Sequence, residues 1–155
     1  MEKRNVTVSA IVAAIVLIGD QLSKHWAETW LRTNGEYKIW DGVLHLRYVE
    51  NRGAAFGMMQ GGKWFFLAIT GIACAAMLYF LIKERKRLHF MMTFSLALLL
   101  SGAIGNLIDR VALGYVRDMI YVALIDFAVF NVADMAVTVG CCLLVLDLLF
   151  FKGKK

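Results

Sequence analysis

Two Asn-x-x-Asp sequences and one aspartate between them are the residues of this chain best suited to carry chemistry. The sequences are Asn106–Asp109 and Asn131–Asp134, and the aspartate between them is Asp118. A spacing of three residues puts both polar side chains of each sequence on one face of a helix. Both sequences lie at the end of an apolar block, where a membrane would end. Acidic groups at such a depth are energetically costly, so each is a functional candidate.

Carboxyl groups that converge at a membrane edge suit aspartic-protease chemistry. Two carboxylates within hydrogen-bond reach cannot both ionise, so the pair shares one proton near neutral pH. The ionised group then takes a proton from water and the protonated group polarises the scissile carbonyl. Because the helix dipole favours an anion in the first turn, we expect Asp134 to be the more acidic partner of Asp118. The spacing is equally compatible with an ion-pair network that includes Asp109, Arg110 and Arg117, and both interpretations stay open.

Other catalytic chemistries find little support in the sequence. The three histidines, His25, His45 and His89, form no H-E-x-x-H motif or ligand cluster, which argues against a zinc site. We expect His25 and His45 to be loop or surface residues. No G-x-S-x-G motif or glycine-rich phosphate loop occurs. Ser23 and Lys24 are sequence neighbours and point apart on a helix, so they do not form a nucleophile–base pair.

The composition places the chain in a membrane. Of its 155 residues, 60% are hydrophobic and only 19% are charged, with a mean hydropathy of +0.64. Soluble domains have about 45–50% apolar and about 25% charged residues. The net charge of +5 does not indicate a nucleic-acid binder, because the basic residues sit in short clusters at the ends of segments.

Four apolar blocks predict an all-α integral membrane protein that forms a single transmembrane domain, 1–155. A bilayer core about 30 Å thick needs about 20 helical residues. The first block is short and must borrow residues after Asp20, which predicts a tilted helix or one that projects past the membrane. The predicted spans are 6–27, 64–82, 88–108 and 131–151, and the outer loops are 28–63 and 109–130.

Basic residues predict the orientation of the spans. The short segments 1–5, 83–87 and 152–155 hold nine of the 17 Lys and Arg residues. By the positive-inside rule both termini are then cytoplasmic, and the candidate site is extracytoplasmic. In the first outer loop, two alternating segments around Asp41-Gly42 predict a small β-hairpin with a two-residue turn. We expect Leu44, Leu46 and Tyr48 to share one of its faces.

Several other residues of the apolar blocks are expected to be structural. The three cysteines, Cys74, Cys141 and Cys142, are expected to be small core residues. Asp147 lies within two helical turns of Lys152 and is expected to pair with it or to reach the interface. The small residues Gly102, Ala103 and Gly105 predict a close helix approach.

Five segments, in order along nearly the whole chain, resemble bacterial lipoprotein signal peptidase (signal peptidase II). Each is quoted as it stands in this sequence. They are Asp20-Gln21-Leu22-Ser23-Lys24, Asn51-Arg52-Gly53-Ala54-Ala55-Phe56, Gly102-Ala103-Ile104-Gly105-Asn106-Leu107-Ile108-Asp109-Arg110, Gly114-Tyr115-Val116-Arg117-Asp118-Met119-Ile120 and Phe130-Asn131-Val132-Ala133-Asp134.

The resemblance implies a four-helix aspartic endopeptidase of the bacterial cytoplasmic membrane. Such an enzyme removes signal peptides from prolipoproteins and cuts before a diacylglyceryl-modified cysteine. It works among membrane lipids without a metal or cofactor and is the target of globomycin, and we expect a monomer. By motif match Asp118 and Asp134 form the catalytic dyad. The residues implied to bind substrate or support the dyad are Asn51, Asn106, Arg110, Asn131, Asp20 and Asp109.

Two departures from the family pattern, and three alternatives, remain open at this point. Arg117 replaces a hydrophobic residue and is expected to lower the pKa of Asp118. The proline that commonly precedes the Phe130-Asn131 pair is missing, which frees the backbone of the loop between the two aspartates. The alternatives are a small carrier, a non-enzymatic assembly scaffold and an inactive member of the family. A carrier would place its acids near the bilayer midplane between repeated bundles, whereas a scaffold would tolerate Asp→Asn substitutions.

Overall fold

Four long helices form the frame of the protein. The computed structural model describes residues 2–53, 62–84 and 87–150, with side chains from residue 5. Each long helix is long and apolar enough to cross a membrane. The helices are α1 (Glu2–Trp26), α3 (Lys63–Glu84), α4 (Phe90–Ala112) and α5 (Val132–Phe150), and a short helix, α2 (Arg32–Asn34), follows a π-helical turn at Ala27–Leu31.

The helices extend beyond the apolar blocks at the end where the polar residues gather. Helix α1 continues through the π-helical turn and α2 to Asn34, seven residues past the predicted end of the first span. Helix α4 continues to Ala112 and so keeps both Asn106 and Asp109 helical. These additional turns of α1 and α4 are polar and are stabilised by tertiary contacts. The hydropathy pattern therefore predicted the ends of both helices too early in the chain.

A three-stranded antiparallel sheet lies at this same end. Its strands are β1 (Tyr37–Trp40), β2 (Leu44–Asn51) and β3 (Val116–Val122), in the order β1-β2-β3. The predicted hairpin is therefore present as β1 and β2, but its turn is longer than the predicted two residues. Trp40 pairs with Leu44, which leaves three residues in the loop, and Gly42 takes the left-handed conformation that such loops require (φ 71°).

The third strand was not predicted. It pairs with β2 across more than 60 residues of sequence, for example at Val49 and Asp118. A small apolar core holds the sheet against the π-helical turn. Leu46 and Tyr48 both pack on this core, in agreement with the prediction that they lie on one face of the hairpin. The core is built from Ala27, Leu31 and Met119, with Leu46, Tyr48 and Ile120 packed against it.

Helix α4 is the centre of the helical frame and contacts α1, α3 and α5. The predicted close approach at its small residues is present. A Cβ added at Gly102 would lie 2.4 Å from the carbonyl oxygen of Ala133, and one at Gly105 would lie 2.6 Å from a carboxylate oxygen of Asp20. Glycine at these two positions therefore lets α5 and α1 reach the polar end of α4.

The prediction that the cysteines are core residues is wrong for two of the three. Cys141 and Cys142 are exposed on α5, because their side of the helix faces away from α4 and not into the core. Asp147 is buried, but its near partner is the imidazole of His89, 3.1 Å from the carboxylate. Lys152, the partner expected from the sequence, lies outside the described residues.

Candidate active site

The two aspartates singled out by the sequence line one cavity although different elements carry them. Asp118 lies on β3, and Asp134 lies in the first turn of α5. The cavity has a volume of about 530 Å³, and both carboxyl groups reach it from the polar end of the helices. Its other polar lining residues are Asn51, Asn106, Arg110 and Thr138, and the rest of the lining is apolar.

Asn131 joins the two aspartates. Its side-chain amide donates to Asp118 Oδ1 at 2.6 Å. Its own backbone N–H donates to Asp134 Oδ2 at 3.1 Å, and its side-chain oxygen accepts the N–H of Asp134 at 2.9 Å. This reciprocal pair is a capping box at the start of α5. The second Asn-x-x-Asp sequence is therefore a helix cap that also fixes one aspartate next to the other.

Asp134 receives a second donor from α4. Asn106 Nδ2 donates to Asp134 Oδ1 at 2.7 Å. With the backbone N–H of Asn131, both oxygens of this carboxyl group accept a hydrogen bond. Donors of this kind, together with the positive end of the helix dipole, favour an ionised carboxylate. The two Asn-x-x-Asp sequences converge as predicted, since Asn106 from the first touches both residues of the second.

Asp118 is less exposed to solvent than Asp134. Only 2% of the residue is exposed, and Asn51 Nδ2 donates to its Oδ2 at 3.0 Å. Burial, followed by the nearby charge of Asp134, raises the pKa of Asp118 to about 7, and the hydrogen bonds from Asn51 and Asn131 oppose this rise. Asp118 is therefore poised to hold a proton at neutral pH.

Arg117 does not act on Asp118 as the sequence suggested. Successive side chains of a strand point to opposite faces of the sheet, so Arg117 faces away from the cavity. Its guanidinium contacts Asp109 Oδ1 at 2.8 Å and Glu28 Oε2 at 2.9 Å. The expectation that Arg117 lowers the pKa of Asp118 is wrong, because the guanidinium is bound by Asp109 and Glu28, and burial together with the charge of Asp134 raises that pKa.

Asp20 and Asp109 support the site from behind. Asp20 Oδ1 accepts the backbone N–H of Ala133 at 2.8 Å, so a residue of α1 completes the capping of α5. Asp109 Oδ2 accepts both the backbone N–H and the Nε–H of Arg117, at 3.0 and 3.1 Å. Both carboxylates are buried. Asp109 thereby fixes the start of β3, one residue before Asp118.

Arg110 lines the cavity and connects two of its walls. Its guanidinium donates to the carbonyl oxygen of Gly53 at 3.2 Å and lies 5.1 Å from the centre of the Phe66 ring on α3. It thus holds the chain after β2 against α3. Residues 54–61, which include the remainder of the predicted motif after Gly53, lie outside the described residues.

The loop between the aspartates is ordered without the family's proline. Phe130 exchanges two backbone hydrogen bonds with Ile120, at 2.8 and 3.0 Å. The N–H of Phe127 donates to the carbonyl oxygen of Val122 at 3.2 Å. Hydrogen bonds to β3 therefore supply the backbone constraint that a proline would otherwise provide.

Sequence reasoning missed a line of polar residues on α1 and its continuation. Lys24 is buried and contacts Asp20 and Asn106, and Gln21 and Glu28 both contact Arg117. The sequence did contain a signal for this line, because positions 20, 24 and 28 share one helix face.

His45 also differs from expectation. It is buried in the hairpin, where its Nε2 accepts the N–H of Gly42 at 3.1 Å.

Comparison with known proteins gives concordant matches. Residues 12–150 match the family described as Signal peptidase (SPase) II. A lipoprotein signal peptidase of Streptococcus thermophilus is 46% identical over 91% of this chain and 92% of its own length. One from Clostridioides difficile is 43% identical over 93% and 97%. A solved bacterial membrane enzyme at 2.3 Å resolution is 34% identical, with a TM-score of 0.86 over 96% of this chain and 93% of that one.

Proposed function

Since this chain belongs to the lipoprotein signal peptidase (signal peptidase II) family and cleaves signal peptides from prolipoproteins, we propose that Asp118 and Asp134 are its catalytic dyad. We propose further that the cut falls before a diacylglyceryl-modified cysteine. The carrier and scaffold alternatives are wrong, because the family is one of peptidases. The observation that carries the proposal is the double contact of Asn131, which ties both carboxyl groups to one cavity.

The chemistry follows from the different surroundings of the two carboxyl groups. Asp134 enters as the anion and takes a proton from a water molecule, whose oxygen attacks the scissile carbonyl carbon. Asp118 gives its proton to the carbonyl oxygen, so that a gem-diol forms. When the C–N bond breaks, a hydroxyl proton of the diol returns to Asp118 and Asp134 gives its proton to the leaving nitrogen. The dyad ends with the same single proton with which it began.

The remaining site residues support this division of labour. Asn106 and the N–H of Asn131 stabilise the anion on Asp134, and Asn51 holds Asp118. Arg110 carries a positive charge on the cavity wall and holds Gly53 beside it. Among the described residues, these side chains keep N–H groups without a partner, and a peptide carbonyl oxygen can accept hydrogen bonds from them.

The cavity also has features that fit a lipid-modified substrate. Its lining is mostly apolar and includes Met135 and Val139, which are exposed on α5. The surface of a membrane-spanning helix faces lipid, so acyl chains attached to the substrate cysteine can lie along α5 while the peptide reaches the dyad. With this arrangement the substrate can reach the dyad from the bilayer and not from the aqueous phase.

The positive-inside pattern supports an orientation for the whole chain. The basic segments 1–5, 83–87 and 152–155 favour a cytoplasmic position for both termini. The dyad then lies at the outer edge of the bacterial cytoplasmic membrane, together with the sheet. The chain 1–155 acts as one transmembrane domain and as a monomer, and a globomycin-type peptide inhibits it by occupying the dyad cavity.

Cleavage of a diacylglyceryl-modified prolipoprotein by the purified protein in detergent tests the proposal. We expect Asp118→Asn and Asp134→Asn to abolish cleavage while the proteins stay folded. Asp126→Asn is the matched control, because Asp126 lies on the same loop, is exposed and has a positive φ that asparagine tolerates. Cleavage that survives both dyad substitutions would refute the assignment of the dyad. A folded native chain that cleaves nothing would identify an inactive member of the family.

A further inference from the structure

A buried cation lies behind the dyad and has no part in the mechanism described above. The side chain of Lys24 is fully buried, and its Nζ lies 2.8 Å from Asp20 Oδ2 and 3.7 Å from Asp109 Oδ2. It also donates to Asn106 Oδ1 at 2.9 Å. Asn106 in turn donates to Asp134. One amide group therefore separates the ammonium group from a carboxyl group of the dyad.

The chemistry of the donors fixes how the Asn106 amide is turned. An ammonium group has no acceptor, so only the amide oxygen can face Lys24. The NH₂ group must then point the other way, toward Asp134. Asn131 Nδ2 also donates to Asn106 Oδ1, at 3.1 Å, but this amide already makes a shorter contact of 2.6 Å with Asp118. Lys24 is thus the closer of the two donors that hold the orientation.

We propose that Lys24 is a positioning residue for the dyad. It holds the side chain of Asn106 with the NH₂ group toward Asp134, so that this carboxylate always receives a hydrogen bond. The proposal rests on the assignment of Asp118 and Asp134 as the dyad. Lys24 touches no substrate, since it is fully buried and does not line the cavity. Its effect must therefore appear in the chemical step and not in substrate binding.

Charged groups from each neighbouring element surround Lys24. Asp20 comes from its own helix, Asp109 from α4, and Arg117 of β3 binds the far side of Asp109. Asp134 of α5 lies beyond Asn106. The positive charge of Lys24 reaches the dyad as well, because it opposes the burial that raises the pKa of Asp118. Removal of Lys24 should therefore strengthen proton binding by the dyad.

The competing explanation is that Lys24 only neutralises Asp20. A pair of variants separates the two roles. Lys24→Met alone leaves Asp20 as a buried unpaired charge and should lower the melting temperature. Lys24→Met combined with Asp20→Asn removes that charge, while the asparagine oxygen still accepts the N–H of Ala133. The control is Glu84→Gln with Arg87→Met, which removes an ion pair at the opposite end of α4 from Asn106.

We expect the double variant at Lys24 and Asp20 to regain melting temperature but not activity. Its kcat should stay about tenfold to a hundredfold low, the range for loss of one hydrogen bond to a charged group, with KM nearly unchanged. The acidic limb of its pH profile should move to higher pH, and the control pair should behave as the native chain. Native kcat and pH profile in the double variant would overturn the proposal, and so would a change confined to KM.

Asp118→Asn and Asp134→Asn in the same assay separate this inference from the proposed function. If they still cleave, the dyad is wrong; if they are inactive while the double variant has native kcat, only the role of Lys24 is wrong. Should the double variant not fold, Lys24→Gln replaces it, because the neutral glutamine amide can accept as well as donate a hydrogen bond and so no longer forces the Asn106 oxygen toward position 24. Lys24→Gln should lower kcat in the native background and have no further effect when Asn106 is alanine. Equal effects in both backgrounds would overturn the proposal.

Discussion

Asn51→Ala should move the basic limb of the pH–activity profile to higher pH. Asn51 Nδ2 donates to Asp118 Oδ2 at 3.0 Å and so favours the ionised form of this carboxyl group. Cleavage requires the protonated form of Asp118 in the proposed mechanism. Activity of the native chain should thus fall as the pH rises through about 7, the value to which burial raises the pKa of Asp118. Loss of the Asn51 donor raises that pKa further.

The size of the shift follows from the strength of one hydrogen bond. A hydrogen bond to a charged group contributes about 1.5 kcal/mol at the lower end of its range. One pKa unit corresponds to about 1.4 kcal/mol, so the pKa of Asp118 should rise by about one unit. At pH 8 about a tenth of the native protein and about half of the variant would then hold the proton. Relative to its own plateau, the variant should be about fivefold more active at that pH.

The assay is the initial rate of prolipoprotein cleavage in detergent, measured from about pH 5 to about pH 9. Each profile is normalised to its own maximum, because Asn51 also lines the cavity and its loss should lower the absolute rate. Asn34→Ala is the control, since Asn34 is exposed and, within the part of the chain that the structure describes, donates only to the carbonyl of Trp30. A basic limb that stays in place, or moves to lower pH, would refute the assignment of Asp118 as the acid.

Two further predictions concern stability and use thermal unfolding in detergent. Gly102→Ala should destabilise the protein by about 1–3 kcal/mol, because the new Cβ would lie 2.4 Å from the backbone oxygen of Ala133. Gly71→Ala on α3, where none of the described residues lies within 4 Å of the new Cβ, should be neutral or stabilising, and similar losses in both variants would contradict the packing argument. Arg117→Met should cost about 3 kcal/mol, the lower end of the range for a broken buried pair, because it removes the guanidinium at 2.8 Å from the buried carboxylate of Asp109 and leaves it the more distant ammonium group of Lys24, at 3.7 Å. Arg52→Met is the control, because it removes an exposed pair with Glu50 and should cost at most about 1 kcal/mol. An equal loss of stability in the two arginine variants would contradict the argument that the buried pair of Arg117 with Asp109 is costly to break.

The sequence predicted the helices and the polar residues of the site because their signals are local. Apolar blocks longer than a bilayer are visible in a single stretch of chain, and so is the three-residue spacing of Asn131 and Asp134. The resemblance to a family then selected Asp118 and Asp134 from among the acids at the membrane edge. Spacing alone had left an ion-pair network equally possible, and the protein contains that network too, through Asp109 and Arg117.

The features that the sequence did not predict depend on contacts between distant segments. Strand β3 forms because β2 offers it hydrogen-bond partners more than 60 residues earlier in the chain. The role of Arg117 depended on the side of that strand to which it points. Lys24 was visible as a charge, but its link to Asp134 passes through Asn106 of another helix. No local pattern encodes such a link.

The alternation of Arg117 and Asp118 along β3 has a consequence for the accuracy of folding. If β3 paired with β2 one residue out of register, every side chain of the strand would change sides. An arginine would then replace the acid in the cavity, and an aspartate would face the carboxylates of Asp109 and Glu28 without a counter-charge. Such a misfolded strand would be penalised on both faces at once. The neighbouring opposite charges thus disfavour the shifted register and help to select the correct pairing of β3 with β2 during folding.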